Sequence, residues 1–140
     1  MKVQGIDKLV RKLATLEKKA AKRAVRKAIR AGTTIVAKAV KAGTPVDDGR
    51  LKKAQTSKVA AKRNAAVGVI GADQGKLDAD ATEGRPSNID WLVEYGHVAT
   101  DGTVIPPSGH HRRAEAASLP RAQQAIARKL AEEIEREATR

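Results

Sequence analysis

The sequence predicts an α+β fold, and three observations support that class. Apolar residues recur every three or four positions through the first 42 residues, as one stripe of a long helix requires. Two extended segments around a short polar turn follow, which is the pattern of a β-hairpin. A second helical stripe occupies the C-terminal region. This order of helix, sheet and helix is typical of α+β proteins, in which the two kinds of element are segregated.

The first helix is predicted over residues 1–42. Gly32-Thr33-Thr34 is its weak point, because glycine costs about 1 kcal/mol within a helix and threonine loses rotamers there, so we expect a bend or break. Gly43 is expected to adopt a left-handed cap conformation, and Pro45 prevents the helix from continuing. The apolar stripe comprises Ile6, Leu9, Leu13, Leu16, Ala20, Ala24, Ala28, Ile35 and Ala39.

The sheet is predicted within residues 44–112. Asp47-Asp48-Gly49 reads as a turn, because Asp side chains can accept hydrogen bonds from nearby backbone N–H groups and glycine tolerates a positive φ. The extended segments 51–63 and 65–72 are predicted to form the hairpin, with the second as the better strand. Val104-Ile105 is predicted to add a short strand.

Two segments of opposite character follow the hairpin. Residues 73–88 are polar and rich in Asp and Gly, so we expect a mobile surface loop that buries almost nothing. Ile89–Tyr95 holds the single Trp and the single Tyr of the chain together with Ile, Leu and Val, and is predicted to anchor the core, with Gly96 closing the run. The acidic residues of the loop lack the spacing of a hard-cation site, which favours a solvated loop; they are Asp73, Asp78, Asp80 and Glu83.

The C-terminal helix is predicted over residues 113–140. Its apolar stripe is clearest from Leu119 or Pro120 onward, and proline is favoured in the first turn of a helix. The charges on this helix balance along its surface. The stripe consists of Ala122, Ile126, Leu130 and Ile134.

Composition predicts a single domain, residues 1–140, with a thin core. The apolar residues are dominated by alanine, with one Trp, one Tyr and no Phe. Because burial contributes about 25 cal/mol per Å² of apolar surface, a monomer would be marginally stable, and we expect an oligomer. The chain has no cysteine, no signal-peptide pattern and no run of about 20 apolar residues, so we expect a protein that is made in the cytoplasm and does not enter a membrane.

Charge is sharply segregated along the chain. Residues 1–63 hold 19 Lys or Arg and 4 Asp or Glu, a net charge of +15, whereas residues 64–140 hold 9 and 12, a net charge of −3. The two halves are expected to attract each other. The basic half indicates a polyanion, an acidic protein surface or an acidic patch on a neighbouring copy as partner.

The residues predicted to contact phosphate or an acidic partner lie in the first helix. Helices that read base edges usually place Arg, Asn or Gln where they can reach the bases, and proteins that bind single strands interleave aromatic residues with the charge. This helix is rich in Lys and Ala and has no aromatic residue. Any DNA contact would therefore be to phosphates, independent of sequence and sensitive to salt. A solvated or protein-binding face is favoured over direct DNA binding. The residues are Lys18, Lys19, Lys22, Arg23, Arg26, Lys27 and Arg30.

The sequence predicts no enzyme, no cofactor and no metal site. It has no phosphate-binding loop, dinucleotide fingerprint, nucleophile elbow or paired-histidine helix motif. His110 and His111 are adjacent, and in an extended segment they would point in opposite directions, so a shared metal is disfavoured. Glu94 lies beside Trp91 and Tyr95, and a structural hydrogen bond or an intersubunit ion pair is favoured over a catalytic carboxylate.

Three ordered motifs resemble one protein family. The first is a helix that starts at Gly5-Ile6-Asp7-Lys8-Leu9 and leads to Thr44-Pro45-Val46-Asp47-Asp48-Gly49-Arg50-Leu51-Lys52-Lys53. The second is Trp91-Leu92-Val93-Glu94-Tyr95-Gly96-His97, and the third, Ser118-Leu119-Pro120-Arg121-Ala122, precedes the last helical stretch. Together they resemble the neck or tail-completion proteins of long-tailed bacteriophages, the gene-product-ten-like family of lambdoid phages. The chain departs from that family's pattern at Asp48 and Ala54, where the family has Thr and Ser, and at His97, where it has Thr.

The resemblance implies two helices packed on a small antiparallel sheet, in a subunit that forms a ring between the head-closure proteins and the tail tube. The ring would be a hexamer of a structural virion protein, assembled in the host cytoplasm, and DNA would pass through it. The alternative is a sequence-independent DNA-binding protein that uses the basic helix on phosphates. The residues that the resemblance assigns to structure and assembly are Pro45, Asp47, Gly49, Leu51, Trp91, Val93, Glu94, Tyr95 and Gly96.

Overall fold

The computed structural model describes residues 5–63, 65–79, 81 and 88–140, and it confirms the predicted α+β class. Two helices dominate, and the strands form two small two-stranded sheets, β1 with β2 and β3 with β4. The elements in chain order are α1 (Ile6–Ala14), α2 (Lys18–Gly43), α3 (Arg50–Ala54), β1 (Gln55–Ala61), β2 (Ala66–Ala72), α4 (Gln74–Ala79), α5 (Ile89–Tyr95), β3 (His97–Val98), β4 (Val104–Ile105) and α6 (His110–Ala138).

The chain divides into two compact units. Within the described residues, the first unit falls in the ranges Met1–Val36, Ser57–Val69 and Ser118–Arg140. The second comprises Ala37–Thr56 and Ile70–Ala117.

In the first unit, α2 and α6 run antiparallel. Ion pairs join Arg23 to Glu137 and Lys27 to Glu133, so residue numbers rise along one helix as they fall along the other. These ion pairs join the basic half of the chain to the other half, which were expected to attract each other. The buried stripe on α2 consists of small side chains, which lets the helices approach closely; it comprises Ala20, Ala24 and Ala28.

The helix does not break at Gly32-Thr33-Thr34, one of the two outcomes expected there. All three residues are helical, and a Cβ at Gly32 would lie 2.5 Å from two side-chain carbons of Ile126 on α6. Glycine is therefore used there for close helix packing. The break occurs earlier, between α1 and α2, where Thr15 Oγ1 donates a hydrogen bond to the carbonyl oxygen of Lys12 at 2.7 Å and competes with helix continuation.

The predicted hairpin is present, and its strands are shorter than expected. The segment predicted to be extended from Leu51 begins as the short helix α3, and strand β1 starts at Gln55. The Lys62 N–H donates to the Ala65 carbonyl at 2.7 Å across the turn. In the first unit β2 packs tightly on α2. The two elements are so close that a Cβ at Gly68 would collide with Thr33.

The second unit begins with the end of α2 and the predicted turn. The helix includes Gly43, which is not in the left-handed conformation predicted for it. The predicted turn is present: Asp48 Oδ1 accepts a hydrogen bond from the Arg50 N–H at 2.9 Å, and Gly49 has φ 78°. This turn redirects the chain from α2 into α3.

The interpretation of residues 73–88 as a surface loop is wrong for its first part. Residues 74–79 form α4, and Leu77 is fully buried. The Asp73 N–H donates to the Ala54 carbonyl at 2.8 Å, which fixes the start of this segment against the end of α3. The rest of the predicted loop, including Asp80 and Glu83, lies outside the described residues apart from Ala81 and Asn88.

The last part of the second unit contains α5, the β3–β4 ladder and the first residues of α6. The strand predicted at Val104-Ile105 is present and pairs antiparallel with β3, with His97 opposite Ile105 and Val98 opposite Val104. The C-terminal helix begins at His110 and not at residue 113. Pro120 therefore lies inside α6 and not at its start. At this internal position it has no N–H to donate to the carbonyl oxygen of the preceding turn.

Candidate functional site

A ridge of four basic side chains runs along α2 in the first unit. Lys18, Lys22, Arg26 and Arg30 are spaced four residues apart, so they lie on one side of the helix at intervals of about 6 Å along its axis. All four are exposed, and none forms an ion pair within the described residues. We call these four residues the basic ridge.

The other three predicted contact residues are placed differently. Arg23 donates from Nη2 to Glu137 Oε2 at 3.1 Å, and Lys27 Nζ donates to Glu133 Oε2 at 2.8 Å. Lys19 is exposed. Arg23 and Lys27 therefore join α2 to α6, and the structure separates them from the basic ridge.

Glu133 is the centre of this charged contact. Its side chain is only 1% exposed and lies within 3.3 Å of Lys27, Lys129 and Arg136. The hydrogen bond from Lys27 holds the pKa of Glu133 below its ordinary value, and Lys129 and Arg136 add to this effect against the opposing effect of burial. The hydrogen bond from Arg23 lowers the pKa of Glu137 in the same way.

A groove of about 250 Å³ lies between α2 and the hairpin. Its floor is apolar and includes Leu13 and Val25, and its rim carries three residues of the basic ridge together with two cations of the hairpin turn. The groove therefore combines an apolar floor with a basic rim. The rim cations are Lys18, Lys22, Arg26, Lys62 and Arg63.

The prediction that Ile89–Tyr95 anchors the core is wrong for its two aromatic residues. Trp91 is 60% exposed and Tyr95 is 57% exposed. The two lie one turn apart on α5, with ring centroids 5.5 Å apart. The helix turns them outward and leaves Val93 half-buried. We call Trp91 and Tyr95 the exposed aromatic pair.

Glu94, between them in sequence, points inward and is 6% exposed. Its carboxylate accepts hydrogen bonds from the backbone N–H groups of His111 at 2.9 Å and Arg112 at 3.3 Å. These are among the first N–H groups of α6, which have no partner within the helix, and a negative charge there is also favoured by the helix dipole. Glu94 thus makes the structural hydrogen bond that the sequence favoured.

A second carboxylate, Asp90, meets both histidines at the start of α6. Its Oδ1 lies 3.2 Å from His110 Nε2, and its Oδ2 lies 3.0 Å from His111 Nε2. The prediction that the adjacent histidines point apart is wrong, because it assumed an extended segment. In the helix both rings turn towards Asp90, with centroids 4.5 Å apart. Gln55 Nε2 also donates to Asp90 Oδ1, at 2.9 Å.

The electrostatics of this cluster follow from these contacts. The hydrogen bond to Asp90 raises the pKa of His111. Burial alone would raise the pKa of Asp90, but the hydrogen bonds from His111 and Gln55 outweigh it and lower that pKa. The cluster lies in the second unit and consists of Asp90, Glu94, Ser108, His110 and His111; we call it the histidine cluster.

The remaining predicted assembly residues shape the backbone of the second unit. Pro45 and Asp47 are exposed beside the turn that ends α2, and Leu51 is buried, 5% exposed. Gly96 has φ 75°, and a Cβ there would lie 2.7 Å from the Ile105 carbonyl oxygen. Gly49 and Gly96 therefore occupy conformations that favour glycine.

The histidine cluster was not predicted from the sequence, although the spacing of its two carboxylates was a signal for it. Asp90 and Glu94 are one helical turn apart, so a helical interpretation of residues 89–95 places both carboxylates on one face. The contact from α5 to the start of α6 spans about 20 residues of chain and has no signature in local spacing.

An α+β fold with an exposed aromatic pair and a basic ridge is compatible with a protein that acts by contacting other macromolecules. Residues 7–97 match the model of a phage family described as "Bacteriophage HK97-gp10, putative tail-component". The match covers well over half of the chain, and the chain therefore belongs to the HK97-gp10-like family. No curated protein and no solved structure is significantly similar to it.

Family membership confirms the resemblance based on the first two motifs. It supports a structural role in the phage virion, as a tail component in contact with other virion proteins. The third motif, at residues 118–122, lies beyond the matched range, as do His110 and His111. In the part of the chain that the structure describes, no helix combines the length and apolarity needed to cross a membrane.

Proposed function

We propose that this chain is a neck or tail-completion protein that joins the phage head to the tail, and that it assembles as a ring of six copies through which DNA passes. Its neighbours in the virion would be the head-closure proteins and the tail-terminator or tail-tube proteins. The ring would form in the host cytoplasm, and its role would be structural and not enzymatic. Family membership supports the structural part of this proposal.

The exposed aromatic pair is the observation that carries the proposal. Trp91 and Tyr95 are the only Trp and Tyr of the chain, which has no Phe, and both are more than half exposed. Tryptophan and tyrosine are enriched among the residues that dominate protein interfaces. The cross-strand pair Val98 and Val104, in the same unit, is also exposed. Contacts that close into a ring would cover such a surface.

Electron microscopy of the purified protein tests the ring directly. We expect closed rings with a central channel, and a mass in solution that is a whole multiple of the chain mass, six in the simplest case. A protein that stays monomeric up to high concentration and never forms rings, alone or with a head-closure or tail-terminator partner, would contradict the proposal.

The alternative function is sequence-independent DNA binding, and the basic ridge favours it. Four cations without ion pairs in the described residues can each neutralise one phosphate, and the affinity would then fall steeply with salt. Within the ring proposal, the same ridge faces either the DNA channel or an acidic partner.

A matched set of variants separates these roles. If the ridge binds phosphates, Lys22→Ala with Arg26→Ala should reduce the slope of log affinity for duplex DNA against log salt by about two, since each contact contributes about 0.9. Arg23→Ala is the control in α2, because Arg23 is paired with Glu137. A monomer that binds duplex DNA with this steep dependence and forms no ring would support the alternative function and contradict the neck role.

Charge reversal tests the ridge as a protein contact. If it faces an acidic partner or a neighbouring copy, Lys22→Glu with Arg26→Glu should prevent assembly while leaving the melting temperature of the isolated chain unchanged, because both side chains are exposed. Normal assembly by this variant would exclude the ridge as a contact between protein chains.

A further inference from the structure

The histidine cluster brings three metal-binding side chains together from two helices. Asp90 is on α5, and His110 and His111 are on the first turn of α6. One ligand atom from each, a carboxylate oxygen and two imidazole nitrogens, lies within 4.8 Å of the others. Within the described residues this is the only such group of three.

The spacing of these atoms fits a small tetrahedral ion. Zn²⁺ bonds to histidine nitrogen and carboxylate oxygen at about 2.0–2.1 Å, which places neighbouring ligand atoms of a tetrahedron about 3.3 Å apart. The Asp90 oxygens lie 3.2 Å from His110 Nε2 and 3.0 Å from His111 Nε2. These two separations are close to those of a tetrahedral site.

The surrounding contacts are those that orient metal ligands. Histidine ligands usually donate their other ring N–H to a carboxylate or another oxygen, which fixes the tautomer and points the free nitrogen at the metal. His110 Nδ1 lies 2.8 Å from Ser108 Oγ and 3.1 Å from Glu94 Oε2, which leaves Nε2 to face Asp90. Gln55 holds Asp90 from the other side.

Burial and charge favour a divalent cation. The His110 side chain is fully buried, whereas Asp90 and His111 are 22% and 25% exposed, so the site is supported from within and open to solvent on one side. With neutral imidazoles, Asp90 and Glu94 bring two negative charges, which one divalent ion neutralises. Glu94 also offsets the positive end of α6 through its bonds to two backbone N–H groups.

We propose that Asp90, His110 and His111 bind one divalent transition-metal ion of the zinc class, with water in the fourth position. Two nitrogens and one carboxylate oxygen suit Zn²⁺ better than Mg²⁺ or Ca²⁺, which prefer oxygen ligands only. The ion ties α5 to the start of α6 and so stabilises the segment that carries the exposed aromatic pair. This proposal does not depend on ring assembly.

Calorimetric titration of Zn²⁺ into the full chain without a histidine tag tests the site. We expect one ion per chain, a higher melting temperature with Zn²⁺, and visible ligand-field absorption of tetrahedral type when Co²⁺ replaces Zn²⁺. His111→Ala should weaken Zn²⁺ binding by at least about tenfold. His97→Ala is the control, because His97 lies outside the cluster, and it should bind Zn²⁺ as the wild type does.

Two results would overturn the proposal. One is a wild-type chain that binds no Zn²⁺ at millimolar concentration, which would leave the cluster as a hydrogen-bonded start to α6. The other is equal Zn²⁺ affinity in the wild type and in His111→Ala. If His111→Ala does not fold, X-ray absorption of the wild-type zinc complex decides, since the proposal requires two imidazole ligands.

Discussion

Gly96 lies where α5 ends and β3 begins, and its backbone has φ 75° and ψ 168°. Other residues essentially never adopt this conformation, and holding one there costs about 1–3 kcal/mol. Space is also lacking, because a Cβ would lie 2.7 Å from the Ile105 carbonyl oxygen and 2.8 Å from the Pro107 nitrogen. The chain passes this close because β3 and β4 pair immediately after Gly96.

Gly96→Ala is therefore expected to destabilise the protein by at least about 2 kcal/mol, the middle of the range for such strained backbone. Chemical denaturation of the purified variant measures this change. Gly71→Ala is the matched control, since Gly71 has no positive φ and a Cβ there would meet nothing within 4 Å beyond its chain neighbours. Equal stability of the two variants would contradict the prediction.

Glycine at position 32 shows why residue type alone misleads. In the sequence, Gly32 within a helical stripe indicates a weak point, since only its local cost is visible. In the fold the missing side chain is what allows Ile126 of α6 to approach, so the local cost is offset by packing between helices that are about 90 residues apart in the chain. Gly68 allows the same close approach to Thr33.

At the scale of elements, the pairing of α2 with α6 depends on carboxylates with lowered pKa values. The pKa values of Glu133 and Glu137 lie below the ordinary value of 4.5. A carboxylate whose pKa is lower in the folded state contributes stability that is fully present above its unfolded pKa. That contribution is lost as the pH falls through the folded pKa.

The wild type should therefore lose stability progressively below about pH 4.5. Glu133→Gln should melt several degrees lower at neutral pH, because Lys27, Lys129 and Arg136 lose their shared anion, and its melting temperature should fall less on acidification. Thermal melts from pH 7 to pH 3 measure both effects. Glu135→Gln is the control on an exposed position of α6. Parallel curves for Glu133→Gln and the wild type would show that this carboxylate does not govern the acid sensitivity.

The sequence predicted the elements more reliably than their contacts. The two long helices, the hairpin, the turn at Asp48-Gly49 and the strand at Val104-Ile105 have local signals in periodicity and turn chemistry, and all are present. Trp91 shows the limit of local signals. The size of its side chain alone predicted that Trp91 is buried, but burial depends on which face of α5 meets the rest of the unit. Glu94 lies on that face and bonds to the start of α6.

At the scale of the whole molecule, the second unit places a buried carboxylate and an exposed aromatic pair on one short helix, α5. Glu94 is buried and bonded to the start of α6, whereas Trp91, three residues earlier, is mostly exposed and packs on Tyr95. Both aromatic rings stay largely outside the alanine-rich core.

Trp91→Ala and Glu94→Ala should therefore affect different quantities: Glu94→Ala the stability of the fold, and Trp91→Ala the affinity between copies of the chain. Glu94→Ala leaves two part-buried N–H groups without their acceptor and should lower the free energy of unfolding by about 1–3 kcal/mol. Trp91→Ala should change that free energy by no more than about 0.5 kcal/mol, as most surface substitutions do. If the proposed ring closes through the aromatic pair, the effect of Trp91→Ala should instead be a dissociation constant between copies raised about 30-fold, the equivalent of about 2 kcal/mol at an interface hot spot.

Denaturation of the dilute chain and analytical ultracentrifugation across concentrations separate the two quantities. Glu115→Ala, at an exposed position of α6, controls for loss of a carboxylate in the same unit. If Trp91→Ala destabilised the isolated chain as much as Glu94→Ala, the indole would belong to the fold. If Trp91→Ala left both stability and assembly unchanged, the aromatic pair would not be an interface between copies of the chain.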